Sequence, residues 1–419
     1  MTTHILSRKS YTTHHLVSLP PPTLDPLPPS SLRIRSKILS LTTNNLTYAL
    51  VGHLTGWWDV YPPPPTTPAP FNNTTEYGRI AAWGYAEILE STVDDIPAGA
   101  SIYGYLPIST LPEDIQVVQP FKNQIVVTDP HRAHLWPLYN RYTIYPSLSL
   151  KSEIEEIQAS MPNDSLGWDA LLQPLFNTSY NLNRYAFAWT PERLVHPSNA
   201  GPWNAEDANL TDATVIFLSA SGKTALTFAQ QLRQARPKEH QPRDIIGVGS
   251  AASRKLSESS GFYDRVVLYD ENEAVKDSLD KKSSTRVLIF DFGAREGGRS
   301  TWNATFAPLE SSESSKGYTF FSVGGEVKAR SPEEIAAQRQ KPTIKFVQVN
   351  ATELREKGIE LEGDAYFRNY STEYEKFQVG GWVPGMRLQW GEGLEAWERG
   401  WEAFCKDEVS AASGLVYRL

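Results

Sequence analysis

From Thr214 onward the chain repeats one theme: a short apolar run, a tight turn or link, and a return to strand. The runs are "TVIFLSA", "DIIGVGS", "YDRVVLYDE", "TRVLIFDFG" and "GYTFFSVGG", with helical spacing after the first two and a short connection after the third. Strands apolar along their whole length are buried on both faces. Parallel neighbours need a crossover, which is normally a helix, so the pattern predicts a parallel sheet covered by helices. That constrains the second half of the chain to an α/β unit.

The first half reads differently. "LPPPTLDPLPPSSL" is a proline-rich lead-in that cannot be a helix. "SLRIRSKILSLT" alternates apolar and polar residues as a half-buried strand does. "TNNLTYALVGHLTGWWDVYPPPP" reads as a loop dense in Asn, Tyr and Trp, and the first ~20 residues read as poorly ordered. "YGRIAAWGYAEILES" and "GASIYGYLPIST" are short strands with glycines at bends, the signature of a small β-barrel or roll. Further on, Trp168, Leu171, Leu172, Leu175 and Phe176 share one helix face. No internal repeat is present.

The turn after the first apolar run, Ala220-Ser221-Gly222-Lys223-Thr224-Ala225, joins strand to helix, where backbone N–H groups are free to hold phosphate. A kinase-type phosphate loop needs a glycine where Phe217 stands inside the strand, so that version fails. A short-chain dehydrogenase needs Tyr-x-x-x-Lys, and the spacing occurs nowhere in the chain. A dinucleotide turn survives in altered form. Gly222 stands where backbone must approach a diphosphate, Ala220 and Ala225 are small, and Ser221, Lys223 and Thr224 complete the candidate set. A plain structural strand–helix turn is the alternative. The next strand ends in Gly249-Ser250 without a carboxylate, followed by Ser253, Arg254 and Lys255. An acidic residue there would hold the ribose hydroxyls of NAD, whereas donors and cations suit a 2′-phosphate. If a dinucleotide binds, this end favours NADP, with Ser250, Arg254 and Lys255 as contacts; ordinary solvated basic residues are the other reading.

Composition removes other classes. A net charge of −8 over 419 residues argues against nucleic-acid binding, which needs a basic face. No apolar run approaches the roughly 20 residues of a membrane span. "MTTHILSRKSYTTHHLVSL" lacks a secretory signal, so the expectation is a cytoplasmic protein without membrane partners. A single cysteine, Cys405, excludes disulfides within the chain and cysteine-rich zinc sites. His131 and His134 stand three apart with no cysteine or carboxylate cluster, a poor metal site, so no metal is expected. No Gly-x-Ser-x-Gly elbow suggests a serine hydrolase.

In this order the pieces resemble the medium-chain dehydrogenase/reductase superfamily on its zinc-free quinone and enoyl reductase side. More closely they resemble a domain-of-unknown-function family related to it. "YGRIAAWGYAEILES…IPAGASIYGYLPIS" is similar to that superfamily's glycine-rich barrel segment, and "LFNTSYNL" to the helix before the cofactor strand. "IIGVGSAASRKLSESSGFYDRVVLYDE" is similar to its strand, basic helix and following strand. "VLIFDFGAREGG" resembles the strand beneath the nicotinamide, and "GLEAWERGWEAFCKDEVSAASGLVYRL" the C-terminal helix and returning strand. The resemblance departs at the glycine fingerprint, at the absent zinc ligands and at "TDPHRAHLWPLYNRYTIYPSLSLKSEIEE", which replaces a short link.

The resemblance implies a Rossmann-like domain over residues 166–379 and a GroES-like β-barrel substrate domain over 1–165 and 380–419. It implies NADPH-dependent, zinc-independent reduction of an activated C=C or C=O in an enone, quinone or polyketide-like molecule, hence an apolar or aromatic small-molecule partner. Asn44 and Tyr48 match its Asn-x-x-x-Tyr pattern and, with Tyr61, are the candidate catalytic donors; an aromatic plug of Trp57, Trp58 and Tyr61 is the alternative. Tyr139, Asn140 and Tyr142 are further lining candidates, and Phe292 is a cofactor contact. Pairing through "TIKFVQVN" would give a homodimer. Two other readings stay open: a non-redox cyclase, isomerase or lyase on this scaffold, and a non-catalytic ligand-binding protein.

Overall fold

The computed structural model describes residues 1–146, 150, 164–280, 286–311, 317–326 and 346–419. The chain divides into two compact units, one of residues 1–173, 387–409 and 413–419, the other of 174–386 with 410–412.

The first unit opens with an antiparallel hairpin, β1 (Thr2–Ser7) and β2 (Ser10–Ser18). The expectation of poor order over the first ~20 residues is therefore corrected. Ile5 and Leu6 are fully buried and Val17 nearly so, which offsets the ordering entropy of the terminus. Next come β3 (Ser31–Leu41), the short β4 (Tyr77–Gly78) beside β1, β5 (Ala81–Ser91), β6 (Ser101–Pro107), β7 (Glu113–Phe121), β8 (Gln124–Val127) and β9 (Arg141–Tyr145). β3, β5, β6, β9, β8 and β7 pair antiparallel in that order, and β7 returns to β3, closing a six-stranded barrel. Two strands from the far end of the chain, β16 (Arg387–Glu392) and β17 (Ser413–Arg418), extend it: β17 lies antiparallel on β3, and β16 parallel on β17.

A second correction falls between β3 and β4. The stretch read as an Asn- and Trp-rich loop forms a helix, Thr43–Thr55. Thr42 and Asn45 close a reciprocal capping box at its start, and Gly56, at φ +78°, ends it in the left-handed conformation. Asparagine bias suggested a loop, but Leu46, Tyr48 and Ala49 bury one face.

The second unit carries β10 (Thr214–Leu218), β11 (Asp244–Gly249), β12 (Arg265–Leu268), β13 (Val287–Phe292), β14 (Tyr318–Gly324) and β15 (Val347–Gln348). All pair parallel in the order β12-β11-β10-β13-β14-β15. This is the doubly wound order, and its direction reverses between β10 and β13, where such sheets hold ligands. Helices Lys223–Gln230, Ala251–Ser260, Asn272–Asp280 and Gly298–Phe306 make the crossovers, the third standing where the sequence suggested only a short connection. Ile216, Leu218, Val248, Ile289, Trp302 and Phe306 fill the core beneath one face. Full burial of each such side chain stabilises by roughly 1.5–3 kcal/mol. Val347–Gln348 is the sheet's edge, and residues 343–345 of the "TIKFVQVN" stretch lie outside the described residues. Among the described residues no helix is long and apolar enough to cross a membrane.

Candidate functional site

Four tips of the parallel strands converge around the switch point. After β10 the backbone turns through Ser219, held at φ +62°, and the Gly222 amide donates to the Ser219 carbonyl at 2.9 Å. A Cβ on Gly222 would lie 3.0 Å from that carbonyl oxygen, so glycine keeps the turn shallow. Gly222 is the N-cap of helix Lys223–Gln230, and no side chain caps it. The same holds at Ser250 before Ala251–Ser260 and at Gly297 before Gly298–Phe306. Helices Thr43–Thr55 and Ala351–Glu362, which start elsewhere, carry Thr42 and Asn350 side-chain caps. First-turn amides without a capping side chain, at the positive end of a helix dipole, bind anions.

Lys223 adds charge to this turn. It is half-buried, and desolvation alone pushes its ammonium down to about 8. It has no ion-pair partner among the described residues. Burial penalises the charged form, so a nearby phosphate would relieve a cost that the fold carries without it. Ser221 and Thr224 are half-buried beside it.

At the end of β11, Ser250 is exposed and its hydroxyl lies 3.2 Å from that of Ser253, with no carboxylate at the junction. Arg254 and Lys255 are exposed on the following helix. Arg254 is engaged one turn along, its guanidinium donating to Glu258 at 2.7 Å.

On the other side of the switch point, Asp291 is buried just before the end of β13 and accepts from the Gly293 and Ala294 amides at 2.9 and 2.7 Å. Desolvation raises its carboxyl, while those amides and the nearby Arg299 oppose the rise. Phe292 follows, half-buried, its ring 5.2 Å from Phe217. Between the two tips stands a residue that sequence reasoning placed inside a strand, Tyr269. Burial raises its phenol, and the neighbouring Arg295 backbone and Ser219 oppose the rise. The Tyr269 backbone carbonyl accepts from the Trp302 indole at 2.9 Å.

Within the barrel unit the predicted donors separate into two groups. Tyr48 is buried on helix Thr43–Thr55, and its oxygen accepts from the Trp83 indole at 3.0 Å. Asn44, one turn earlier, and Tyr139 are its other polar neighbours. An indole N–H can only donate, so the phenol proton remains for another acceptor. Desolvation pushes this phenol up to about 12, which keeps it protonated at neutral pH. The structure thus brings Asn44 and Tyr48 together and adds Trp83, whose role no spacing signalled.

Tyr61 is elsewhere. Its hydroxyl lies 3.0 Å from both the Tyr105 carbonyl and the Tyr142 hydroxyl. The buried Arg132 guanidinium stacks 5.2 Å over its ring and donates to the Tyr142 oxygen at 3.0 Å and to Asn140 at 3.0 Å. The Tyr61 hydroxyl is thus committed to internal partners, as are the lining candidates Asn140 and Tyr142. His131 and His134 make separate contacts, to the Val60 carbonyl at 3.3 Å and to Asp59 at 3.2 Å. Among the described residues no three His, Cys, Asp or Glu side chains are grouped to hold a metal.

A family model described as "Protein of unknown function (DUF2855)" matches residues 39–410. No curated protein matches the chain. Among solved structures it is similar to the Etr1p/NADP/crotonyl-CoA complex, with 10% identity, full coverage of both chains and a TM-score of 0.55. A mutant enoyl thioester reductase from Candida tropicalis gives 10% identity, full coverage of both and a TM-score of 0.54. CurA in complex with NADPH from Vibrio vulnificus gives 11% identity, coverage of 100% of this chain and 99% of that one, and a TM-score of 0.52. These likenesses establish the two-part fold of the medium-chain reductases.

Proposed function

The chain belongs to the DUF2855 family, and on that premise we propose that it is an NADPH-dependent, zinc-independent reductase of an activated C=C or C=O in an enone, quinone or polyketide-like small molecule. What carries the reading is the turn at Gly222: an uncapped helix start, a glycine cradle and a half-buried Lys223, unpaired among the described residues, at the switch point of a doubly wound sheet. NADPH complexes among the fold's neighbours support it.

The donor set fits the coenzyme. The amides of the Ser221–Thr224 turn and the Lys223 ammonium would hold the diphosphate, while Ser250, Lys255 and Arg254 would hold the 2′-phosphate. Phe292, an apolar ring beside β13's tip, would border the nicotinamide. When bound, the dihydronicotinamide supplies a hydride. For a C=C acceptor that hydride would go to the β carbon, and a proton from solvent would complete the α carbon. In the barrel unit, Tyr48 and Asn44 are the groups to meet the developing enolate oxygen, because Tyr48 is a neutral donor whose proton is not taken by Trp83. The Trp57, Tyr105 and Tyr139 rings packed round Tyr48 keep it buried.

Fluorescence titration with NADPH and NADH tests the reading. NADPH should bind at least about tenfold tighter, since one charge-assisted bond is worth about 1.5–3 kcal/mol. Ser250→Asp should cancel the preference by repelling the 2′-phosphate, and Arg254→Ala should weaken NADPH alone. Equal or absent binding of the two nucleotides overturns the assignment. Turnover of a substrate without nucleotide would favour the cyclase, isomerase or lyase reading instead.

A further inference from the structure

The N-terminal hairpin meets the rest of its unit through two histidines. His4 on β1 is fully buried, and its Nε2 lies 3.2 Å from Nδ1 of the half-buried His14 on β2. His14 stands two positions from Leu16, the residue opposite His4, so both rings share one face of the hairpin. Helix Gly393–Cys405 covers that face. The Trp401 ring lies 5.2 Å from His4 and 6.2 Å from His14, and Trp397 lies 6.5 Å from His4. The pair is enclosed between strand and helix.

Its hydrogen bonding leaves room for one proton arrangement. Nδ1 of His4 is buried and has no partner among the described residues. In the neutral pair His4 carries its proton on Nε2 and donates to the bare Nδ1 of His14, so Nδ1 of His4 stays unprotonated. An extra proton has no such place. On Nδ1 of His4 it makes a buried N–H without an acceptor. On Nδ1 of His14 it sets two N–H groups against each other, unless the proton of His4 moves to its own Nδ1 and becomes the same orphan donor. A buried donor without an acceptor, like a buried charge, costs free energy that the exposed group does not.

The groups packed around the pair offset little of that cost. On β2, His15 repels a charge on His4 and packs on Phe71 at 4.8 Å. Along the helix stand Glu398, Glu402 and Cys405; Glu402 favours charge on His14 but is shared with Lys406 at 3.5 Å, and burial keeps the Cys405 thiol protonated. β4 brings Tyr77, next to a Glu76 paired with Lys9 at 2.8 Å. Helix Thr43–Thr55, also against β2, brings the exposed His53 and the neutral Tyr48. The Ile108 carbonyl takes the His4 amide at 3.0 Å. Burial first, then His14 and His15, hold the His4 imidazole well below the ordinary value of 6.5; burial lowers His14 as well, with Glu402 opposing.

We propose that the His4–His14 pair is an acid-sensitive clasp, which holds the N-terminal hairpin to helix Gly393–Cys405 while neutral and loosens it when the pair takes up a proton. The clasp is independent of the nucleotide site. Below the ordinary histidine value of 6.5 the unfolded chain binds protons that the folded pair refuses. The stability held by the pair is complete above that value and is lost as the pH falls through it, by up to about tenfold in equilibrium constant per pH unit for each refused proton. Histidine changes its charge across this physiological range, which makes the pair a sensor.

Hydrogen exchange of the full chain between pH 7.5 and 5 tests the clasp. In wild type, protection of the hairpin Thr2–Ser18 relative to β5 in the same sample should fall about tenfold or more over that range. His4→Phe keeps a ring against the indoles, and His4→Gln keeps a donor for His14. Neither new side chain titrates, so in both variants the relative protection should stay within about twofold over the same range. A wild-type ratio that holds constant from pH 7.5 to 5 overturns the clasp, whether or not the variants fold. An equal fall in wild type and in either folded variant overturns it too.

Discussion

Lys223 shows how one side chain ties stability to binding. Its folded pKa is lowered, to about 8 from 10.5, so between those values the unfolded chain holds more protons than the folded one. Stability contributed by this residue therefore rises as pH increases from about 8 to 10.5, and is lower beneath that window. On the proposed function, coenzyme binding runs the other way, because phosphate prefers the charged amine: affinity should hold below pH 8 and weaken as pH climbs past it. Thermal midpoints and NADPH titrations across pH 7–10.5, set against Lys223→Met, read both slopes; parallel curves for the two proteins would refute the coupling. That Gly222, Lys223 and Ser250 stand in turns after parallel strands was legible in the sequence, because a turn's chemistry is local, written in the residues that follow a strand. Tyr269 and Trp83 could not. Tyr269 reaches its neighbours only once the sheet has formed, and Trp83 meets Tyr48 only once the barrel has closed.

Among elements, the parallel strands were the most legible, since burial on both faces leaves an unbroken apolar run such as Val287–Phe290. Helix Thr43–Thr55 was hidden by its asparagines, although Thr42 and Asn45 are a capping pair that could have revealed it. The glycines of β5 and β6 were read as bends and serve something narrower. Where β3 shifts register between Ser36 and Ile38, its backbone comes so close to β5 that any Cβ on Gly84 would overlap the Ile38 carbonyl. Backbone cannot step aside as a side-chain tip can. Gly84→Ala should destabilise the barrel unit by about 3 kcal/mol, the upper end for overpacking, read as a lowered urea midpoint with an unchanged slope. A midpoint within error of wild type would mean the strands separate cheaply. Gly104, beneath the Tyr142 ring, is a second such close approach.

At the scale of the molecule, the superfamily likeness rested on the order of its segments, because no single motif was strong. That order survives a degraded fingerprint since the sheet needs only small residues at the β10 turn, and Ala220 and Ala225 supply them. The barrel unit is assembled from both ends of the chain. Helix Gly393–Cys405 buries Trp397 and Trp401 completely, and the Trp401 indole donates to the Tyr11 carbonyl at 2.9 Å, fastening the N-terminal hairpin. Truncating a buried Trp costs about 3–5 kcal/mol, so losing two rivals the whole stability of a domain. A chain ending at Met386 should therefore lose its cooperative urea transition in the barrel unit and its near-ultraviolet aromatic dichroism. A retained transition at the wild-type midpoint would show the barrel to be self-sufficient.

During synthesis that arrangement imposes a wait. Leu41 is made about 370 residues before its ladder neighbour Leu415. At translation speeds of about 5–20 residues per second, part of β3 stays an open edge for roughly 20 to 75 s. A growing chain with such an edge is prone to pair with its neighbours on the same message, a hazard of its birth and not of its mature state.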